Sequence, residues 1–313
     1  MRVTVVGEVV VDRFFHADGS IVDVAGGSSA NTAIALQRSG IDTALRARFS
    51  VDDAGRALRA HNAAEGLDLA ASPDASEPAS IVEVRLAADG QPSYVFRLAG
   101  AADWQWTAAE LGAPLPPDTR LVHFGSIAAV WQPGADRMRA WVEHLDPRPL
   151  ISFDPNARPA AAGSVEDAQR MRDGIETWIR CADFVKVSDE DLRWIAPAVS
   201  EDEHAKTWSL RTGFVVMTRG ADGASVFVGG KHRFDVAGVP TTVVDTVGAG
   251  DTFMAWLIRG VLHALDTQSI DALAQNDDKM REIILLAAKA AAVTVSRRGC
   301  NPPTLSDLEP YSA

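Results

Sequence analysis

Short apolar runs bounded by turn residues recur along this chain, at Val3–Val6, Leu121–Phe124, Leu150–Phe153, Phe184–Val187 and Phe214–Met217. Runs this short are too brief for a helix and read as buried strands. Stretches with helical spacing lie between them, at Asn31–Arg38, Gly55–Glu65, Arg137–His144, Asp167–Arg180 and Thr252–Leu265. Strands without a polar face, alternating with helices, leave few architectures open. The expected class is α/β, with a parallel sheet covered by helices on both faces. The 313 residues suffice for one such domain or two ordinary ones.

A second texture interrupts this pattern. Val9–Phe15 and Ile21–Val24 flank Asp18-Gly19, while Ile81–Leu86 and Tyr94–Leu98 flank Asp89-Gly90. Asp-Gly between alternating segments is a hairpin signal. The four segments are expected to form one small antiparallel sheet, a lid over the main body. The lid would take residues 9–24 and 79–99, and the main body 1–8, 25–78 and 100–313. The alternative is two surface hairpins with no shared sheet. Near the tail, an Ala-rich helix over Ile283–Val295 ends before Arg297-Arg298-Gly299, and Asn301-Pro302-Pro303 forbids its continuation.

The most informative stretch is Asp245-Thr246-Val247-Gly248-Ala249-Gly250-Asp251, which runs directly into the helical segment from Thr252. Small residues let another group approach the backbone closely. The first N–H groups of a helix lack internal partners, and the helix dipole adds positive potential. Gly248, Ala249 and Gly250 thus make an anion hole suited to phosphoryl oxygens. Asp251 at its mouth can accept a proton from an attacking hydroxyl. Taken alone, it reads almost as well as an aspartate that caps a helix. Upstream, Gly26-Gly27-Ser28-Ser29-Ala30-Asn31 also leads into a helix. The glycines bring backbone against a ligand, and Asn31 offers a donor and an acceptor to a pair of hydroxyls. Asp12 follows the first strand and suits adjacent hydroxyls. Taken alone, an ordinary glycine turn with a capping serine before a helix explains this stretch better.

Composition narrows the partners. Acidic residues outnumber basic ones 42 to 30, a net charge of −12 that repels nucleic acid and anionic membranes. Cys181 and Cys300 are far apart and form no Cys-x-x-Cys pair, so they read as reduced thiols of a cytoplasmic protein. The N-terminus reads as a strand rather than a signal peptide, and no run of about 18 apolar residues suggests a membrane span. The seven histidines are scattered and suggest no metal cluster. Trp104 and Trp106 read as packing residues, with a sugar or dimer surface as the alternative.

Together, Gly26-Gly27-x-x-x-Asn31 and Asp245-Thr246-x-Gly248-Ala249-Gly250-Asp251 resemble the two signatures of the ribokinase-like family, also called the phosphofructokinase-B sugar kinases. The resemblance runs from about residue 2 to about residue 308. It implies a three-layer Rossmann-type core with a small β-sheet lid, ATP as donor and magnesium as helper. It makes Asp251 the base and the N–H groups of Gly248, Ala249 and Gly250 the anion hole. Asp12, Gly26, Gly27 and Asn31 would hold the sugar. Thr218, Gly220 and Gly223, in Thr218-Arg219-Gly220-Ala221-Asp222-Gly223, would form the nucleotide loop. A homodimer joined through the lids is a family-level expectation.

Gly7-Glu8-x-x-x-Asp12, Asp154-Pro155-Asn156-x-Arg158 and Lys186-Val187-Ser188-Asp189-Glu190 look most like bacterial fructokinases. Asp154, Asn156 and Arg158 would then join the sugar site, and Lys186 and Ser188 the nucleotide site. Arg97 is a candidate for a substrate carboxylate from the lid, or else an exposed surface arginine. Ser188 stands where the family has the asparagine of its Asn-x-x-Glu element, which leaves Asp191 as a metal candidate. Asp245 and Val247 would supply part of a monovalent-cation site, but Pro303 replaces a hydroxyl ligand of ribokinase and leaves potassium dependence open. The expected activity is phosphorylation of a hydroxymethyl group on a small sugar, fructose first. The alternatives are 2-keto-3-deoxygluconate kinase, then ribokinase or nucleoside kinase, and, outside enzymes, a sugar-binding regulator on a kinase fold.

Overall fold

The computed structural model describes residues 1–16, 18–86 and 92–308. The Asp89-Gly90 turn lies outside the described residues. In chain order the strands are β1 (Arg2–Val6), β2 (Val10–Phe15), β3 (Ile21–Gly26), β4 (Asp42–Arg46), β5 (Phe49–Ser50), β6 (Asp74–Ala75), β7 (Ser80–Leu86), β8 (Pro92–Arg97), β9 (Thr119–Gly125), β10 (Leu150–Asp154), β11 (Phe184–Ser188), β12 (Phe214–Thr218), β13 (Ala224–Val228) and β14 (Lys231–Val236). The helices are α1 (Ser28–Arg38), α2 (Asp53–Ala64), α3 (Ala108–Leu111), α4 (Gly134–Glu143), α5 (Val165–Ile179), α6 (Asp189–Ile195), α7 (Glu201–Trp208), α8 (Ala249–Ala264), α9 (Ile270–Gln275), α10 (Asp277–Val295) and α11 (Leu305–Leu308).

Among the described residues, eight strands form the main sheet in the order β14-β13-β12-β11-β10-β9-β1-β4. The five apolar runs supply its centre, and β4 through β12 pair in parallel. Successive side chains of a strand point to opposite faces, so each apolar run feeds two cores. Val3, Val5, Leu121, Phe184, Phe214 and Val216 pack with α1, α8 and α10. Val122, Phe124, Ile151, Phe153, Val185 and Met217 pack with α4, α5 and α7. Three layers follow from that division. The sheet is mixed rather than purely parallel, because β13 and β14 add antiparallel at one edge. Their hairpin turns at Gly229-Gly230, both at positive φ (56° and 78°), which glycine adopts without strain. Trp104 and Trp106 are 1% and 0% exposed and are packing residues.

The second sheet has the order β3-β2-β7-β8. It is one sheet, not two hairpins, but β2 and β7 pair in parallel, so it is not purely antiparallel. Its chain crossings into the main body converge on one short turn, Ala102–Trp104. Asp103 Oδ1 accepts from Val9 N–H at 2.8 Å and Oδ2 from Ser80 Oγ at 2.5 Å. Trp104 Nε1 donates to Leu98 O at 2.8 Å. At the remaining crossing Gly27, with φ of 105°, lies so close to Glu8 O that a Cβ would stand 2.8 Å from it.

Candidate active site

The parallel strands of the main sheet end on one side, where α/β proteins gather ligands. The loops after β1, β10, β11 and β12 and the start of α8 meet there. Gly248 adopts the left-handed conformation (φ 78°) immediately before α8. A Cβ at that position would stand 2.2 Å from Cys300 Sγ, and one at Gly250 would stand 3.0 Å from Lys186 Nζ. Gly248 is therefore demanded by its close neighbour and its positive φ, while at Gly250 a Cβ would press on the end of the Lys186 side chain. Thr252 N–H opens the helical ladder by donating to Gly248 O at 2.8 Å, and Ala249 N–H reaches Thr246 O at 3.3 Å. The N–H groups of Gly250 and Asp251 remain for a ligand in the positive end of the helix dipole.

Asp251 is 5% exposed and accepts from three side chains. Ser28 Oγ donates to Oδ1 at 2.7 Å, Asn31 Nδ2 to Oδ2 at 2.9 Å and Asn156 Nδ2 to Oδ1 at 3.2 Å. These donors link the Gly26–Asn31 stretch to the Asp154–Arg158 stretch through the residue at the anion hole. Asn156 holds a left-handed backbone (φ 37°), a conformation that asparagine adopts more readily than most side chains. The capping serine of the alternative reading is not found: Gly27 is the N-cap of α1 and makes no side-chain bond.

Asp12 lies on β2, and Gly26 is where it must be, since a Cβ there would meet Asp12 Oδ2 at 2.5 Å. Burial raises the Asp12 pKa to about 6, with the Arg158 charge pulling the other way. On the far side of Asp251, Lys186 Nζ donates to Asp154 Oδ2 at 2.8 Å, with both residues buried. Burial works against the Lys186 charge, but Asp154, Asp191 and Asp251 outweigh it and hold its pKa above the ordinary value. Asp154 is pushed up to about 6 by burial, against the pull of Lys186. Its other oxygen, Oδ1, is buried and has no hydrogen-bond partner among the described residues.

Thr218, Gly220 and Gly223 line a cavity of about 450 Å³ that also touches Ala249, Gly250 and the alanines of α10 at 288, 291 and 292. One hollow thus runs from the loop after β12 to the start of α8. Its lining residues all belong to the main body, and none comes from the second sheet.

Four expected residues stand apart. Arg97 pairs with Glu83 at 3.1 Å. The register puts Asp12 in one row with Val82 and Phe96, so Arg97 and Glu83 occupy the opposite face of the second sheet. Ser188 spends its hydroxyl as the N-cap of α6, accepting from Asp191 N–H at 3.0 Å. Asp191 answers with Oδ2 on Ser188 N–H at 3.1 Å, and its Oδ1 accepts from Ala157 N–H at 2.9 Å. It anchors the loop that carries Asn156, with both oxygens engaged. Asp245 likewise ties loops together, taking Val247 N–H at 3.1 Å and Gly299 N–H at 2.9 Å. Sequence reading missed the Ser28 contact and the buried carboxyl of Glu8. Glu8 accepts from Ala128 N–H at 3.2 Å and from Ser29, and burial raises its pKa. Its sequence signal was its place after Gly7 in Gly7-Glu8-x-x-x-Asp12.

Known proteins resemble the whole chain. The family profile described as pfkB family carbohydrate kinase matches residues 2–307. A fructokinase of Rhizobium leguminosarum bv. trifolii is 36% identical over 261 residues, 82% of this chain and 78% of the relative. A fructokinase of Escherichia coli is 29% identical, covering 95% of this chain and 94% of its own. A crystal structure of fructokinase from Vibrio cholerae O395, in a form with fructose, ADP and calcium bound, superposes with a TM-score of 0.84. It is 25% identical and covers 100% of this chain and 99% of its own.

Proposed function

The chain belongs to the pfkB family of carbohydrate kinases, and from that premise we propose that it moves the γ-phosphoryl group of ATP to a hydroxymethyl group of fructose. An ATP-dependent sugar kinase needs a base and an anion hole at one point, between a hydroxyl-binding side and a nucleotide cavity. The observation that carries the reading is the position of Asp251, which joins Ser28, Asn31 and Asn156 to the start of α8.

Asp12, Asn31 and Arg158 hold the sugar, with its hydroxymethyl oxygen turned to Asp251. The hydroxyl gives its proton to the carboxylate while its oxygen bonds to the γ-phosphorus. The bond to the bridging oxygen breaks, and its electron pair leaves with ADP. The N–H groups of the anion hole and the Lys186 ammonium beneath Gly250 receive the charge of the transferring group. The orphaned Asp154 Oδ1 fits a divalent cation carried in with the nucleotide, where magnesium would neutralise phosphate charge. Closure of the second sheet as a lid would keep water from the transferring group. Since the donor is ATP, this reading places the enzyme in the cytoplasm. No helix among the described residues is long and apolar enough to cross a membrane.

A second reading, 2-keto-3-deoxygluconate as acceptor, is favoured by one observation. The exposed Arg158 is close enough to Asp12 for its charge to oppose the rise that burial gives the Asp12 pKa, so a cation is available for a substrate carboxylate. ADP release measured across fructose, 2-keto-3-deoxygluconate, ribose and adenosine separates the readings. Fructose is expected to give the highest kcat/KM. Sugar binding without ADP release from any of them would instead indicate a sugar-binding regulator.

Two further outcomes follow. An ionised Asp12 accepts hydrogen bonds at both oxygens, whereas the protonated form loses part of that capacity. As pH falls through about 6 the sugar KM is therefore expected to rise, and Asp12→Asn should flatten the profile between pH 5 and 8. A profile in Asp12→Asn that keeps the full acid limb would remove Asp12 from the sugar site. Ile21, Val22, Val24, Tyr94 and Val95 are exposed on the second sheet, which supports a homodimer joined there. Light scattering is expected to give a two-chain mass, and a single-chain mass would sink the dimer.

A further inference from the structure

The hydrogen bond from Ser28 Oγ to Asp251 Oδ1, at 2.7 Å, has the geometry that an acceptor hydroxyl must adopt on a general base. Its surroundings hold it there. Ser28 is the first residue of α1, and its backbone follows Gly27 at φ 105°. Asn156 Nδ2 lies 2.6 Å from Ser28 Oγ and 3.2 Å from the same Asp251 oxygen. The single proton of the serine is thus committed to Asp251, and one lone pair to Asn156. This contact plays no part in moving the phosphoryl group to a sugar. It occupies the place where the sugar hydroxyl must arrive.

We propose that Ser28 is a positioning residue that stands in for the acceptor hydroxyl on Asp251 whenever the sugar site holds only water, and so suppresses hydrolysis of ATP. The inference rests on the kinase reading with Asp251 as base. Its chemistry is that of the water side reaction. A water bound to Asp251 would give its proton to the carboxylate, its oxygen would bond to the γ-phosphorus, and ADP would leave with the electron pair of the broken bridge. With Ser28 in place, Oδ1 already accepts two hydrogen bonds, and the hydroxyl fills the space beside it. An arriving sugar displaces the serine with a hydroxyl of the same kind and adds its contacts to Asp12 and Asn31. Water brings no such contacts and so cannot compete.

Removing the hydroxyl opens a polar gap between Asp251 Oδ1 and Asn156 Nδ2, two partners that suit one bound water. The test uses the full chain with ATP and magnesium, and measures ADP release with and without fructose for the parent, Ser28→Ala and Ser28→Thr. Ser28→Ala is expected to raise sugar-free ADP release at least about tenfold, within the range that general-base assistance supplies. Its sugar KM should fall by about three- to tenfold, because the sugar no longer displaces an internal hydrogen bond. The KM for ATP should stay where it was. Ser28→Thr keeps a hydroxyl and should return both quantities toward the parent. Sugar-free release unchanged in Ser28→Ala overturns the proposal. So does a raised sugar KM, which would mean that Ser28 touches the sugar directly. A phosphoryl group found on Ser28 by mass spectrometry after incubation with ATP also overturns it, since the serine would then be an acceptor itself. Sugar-dependent ADP release by the parent, read in the same plate, tests the kinase reading separately.

Discussion

Asp251→Asn is expected to lower turnover by about 10²–10⁴-fold, the range that a positioned general base contributes, while the fold survives. The substitution keeps the volume and both hydrogen-bonding arms of the side chain. Its Oδ1 can still accept from Ser28 and Asn156. The new Nδ2 faces Asn31 Nδ2, and Asn31 relieves that clash by turning its amide to present oxygen. Melting should therefore shift by no more than about 2–4 °C, the equivalent of one hydrogen bond in a chain of this size. Steady-state kinetics and a thermal melt on the same preparation check both halves. Near-normal turnover would show that the proton goes elsewhere and that Asp251 is a helix residue with a structural network.

The second large effect concerns Lys186. Replacing it by Met leaves Asp154 among buried neighbours with no cation, and breaking a buried pair from one side typically costs about 3–5 kcal/mol. At pH 7.5 the melting temperature should drop by roughly 5–15 °C. The pH dependence has a definite sign. Burial already pushes Asp154 up to about 6 with Lys186 present, and without it the native carboxyl holds its proton more tightly still. The unfolded chain releases that proton near pH 4. The unfolded-state release is the same in both proteins, so the deficit of Lys186→Met is smallest below about pH 6, where Asp154 is protonated in both native states, and widens as pH rises through neutrality and beyond. Adding Asp154→Asn should recover a good part of the loss, because no charge is then stranded. Turnover should stay low in both variants, since the ammonium under Gly250 is gone. A Lys186→Met melt within about 2 °C of the parent at pH 7.5 would show that the pair carries no such burden.

How far the sequence announced these features depends on how local each one is. The central strands were legible because burial on both faces writes unbroken apolar runs, as at Phe184–Val187. β4 was hidden because it ends in Arg46, a charged residue that is nonetheless 0% exposed. Its guanidinium lies 4.9 Å over Trp141 and donates to Glu110 O and Ala113 O, partners remote in sequence. β13 and β14 did leave a signal, Gly229-Gly230, that a reading aimed at parallel pairing passed over. In the proposed site, the helix start at Gly248-Ala249-Gly250-Asp251 was legible because its residues are consecutive. Ser28 was not, because its meaning lies in a partner 223 positions away. Arg97 was misplaced by a register that flips side chains with each residue, and only the pairing of Val82 with Phe96 reveals which face it takes.

The cavity that runs to Gly250 is walled by the main body alone, from Thr218 to Val295, whereas Asp12 stands on the second sheet. If Asp12 holds the sugar and this cavity the nucleotide, the two substrates would enter through separate doors. Nucleotide would then exchange while the sugar stays gripped, and sugar phosphate would leave while nucleotide remains. Such an enzyme would have no obligatory order of binding. Its product-inhibition patterns would show ADP competing with ATP, and sugar phosphate competing with sugar.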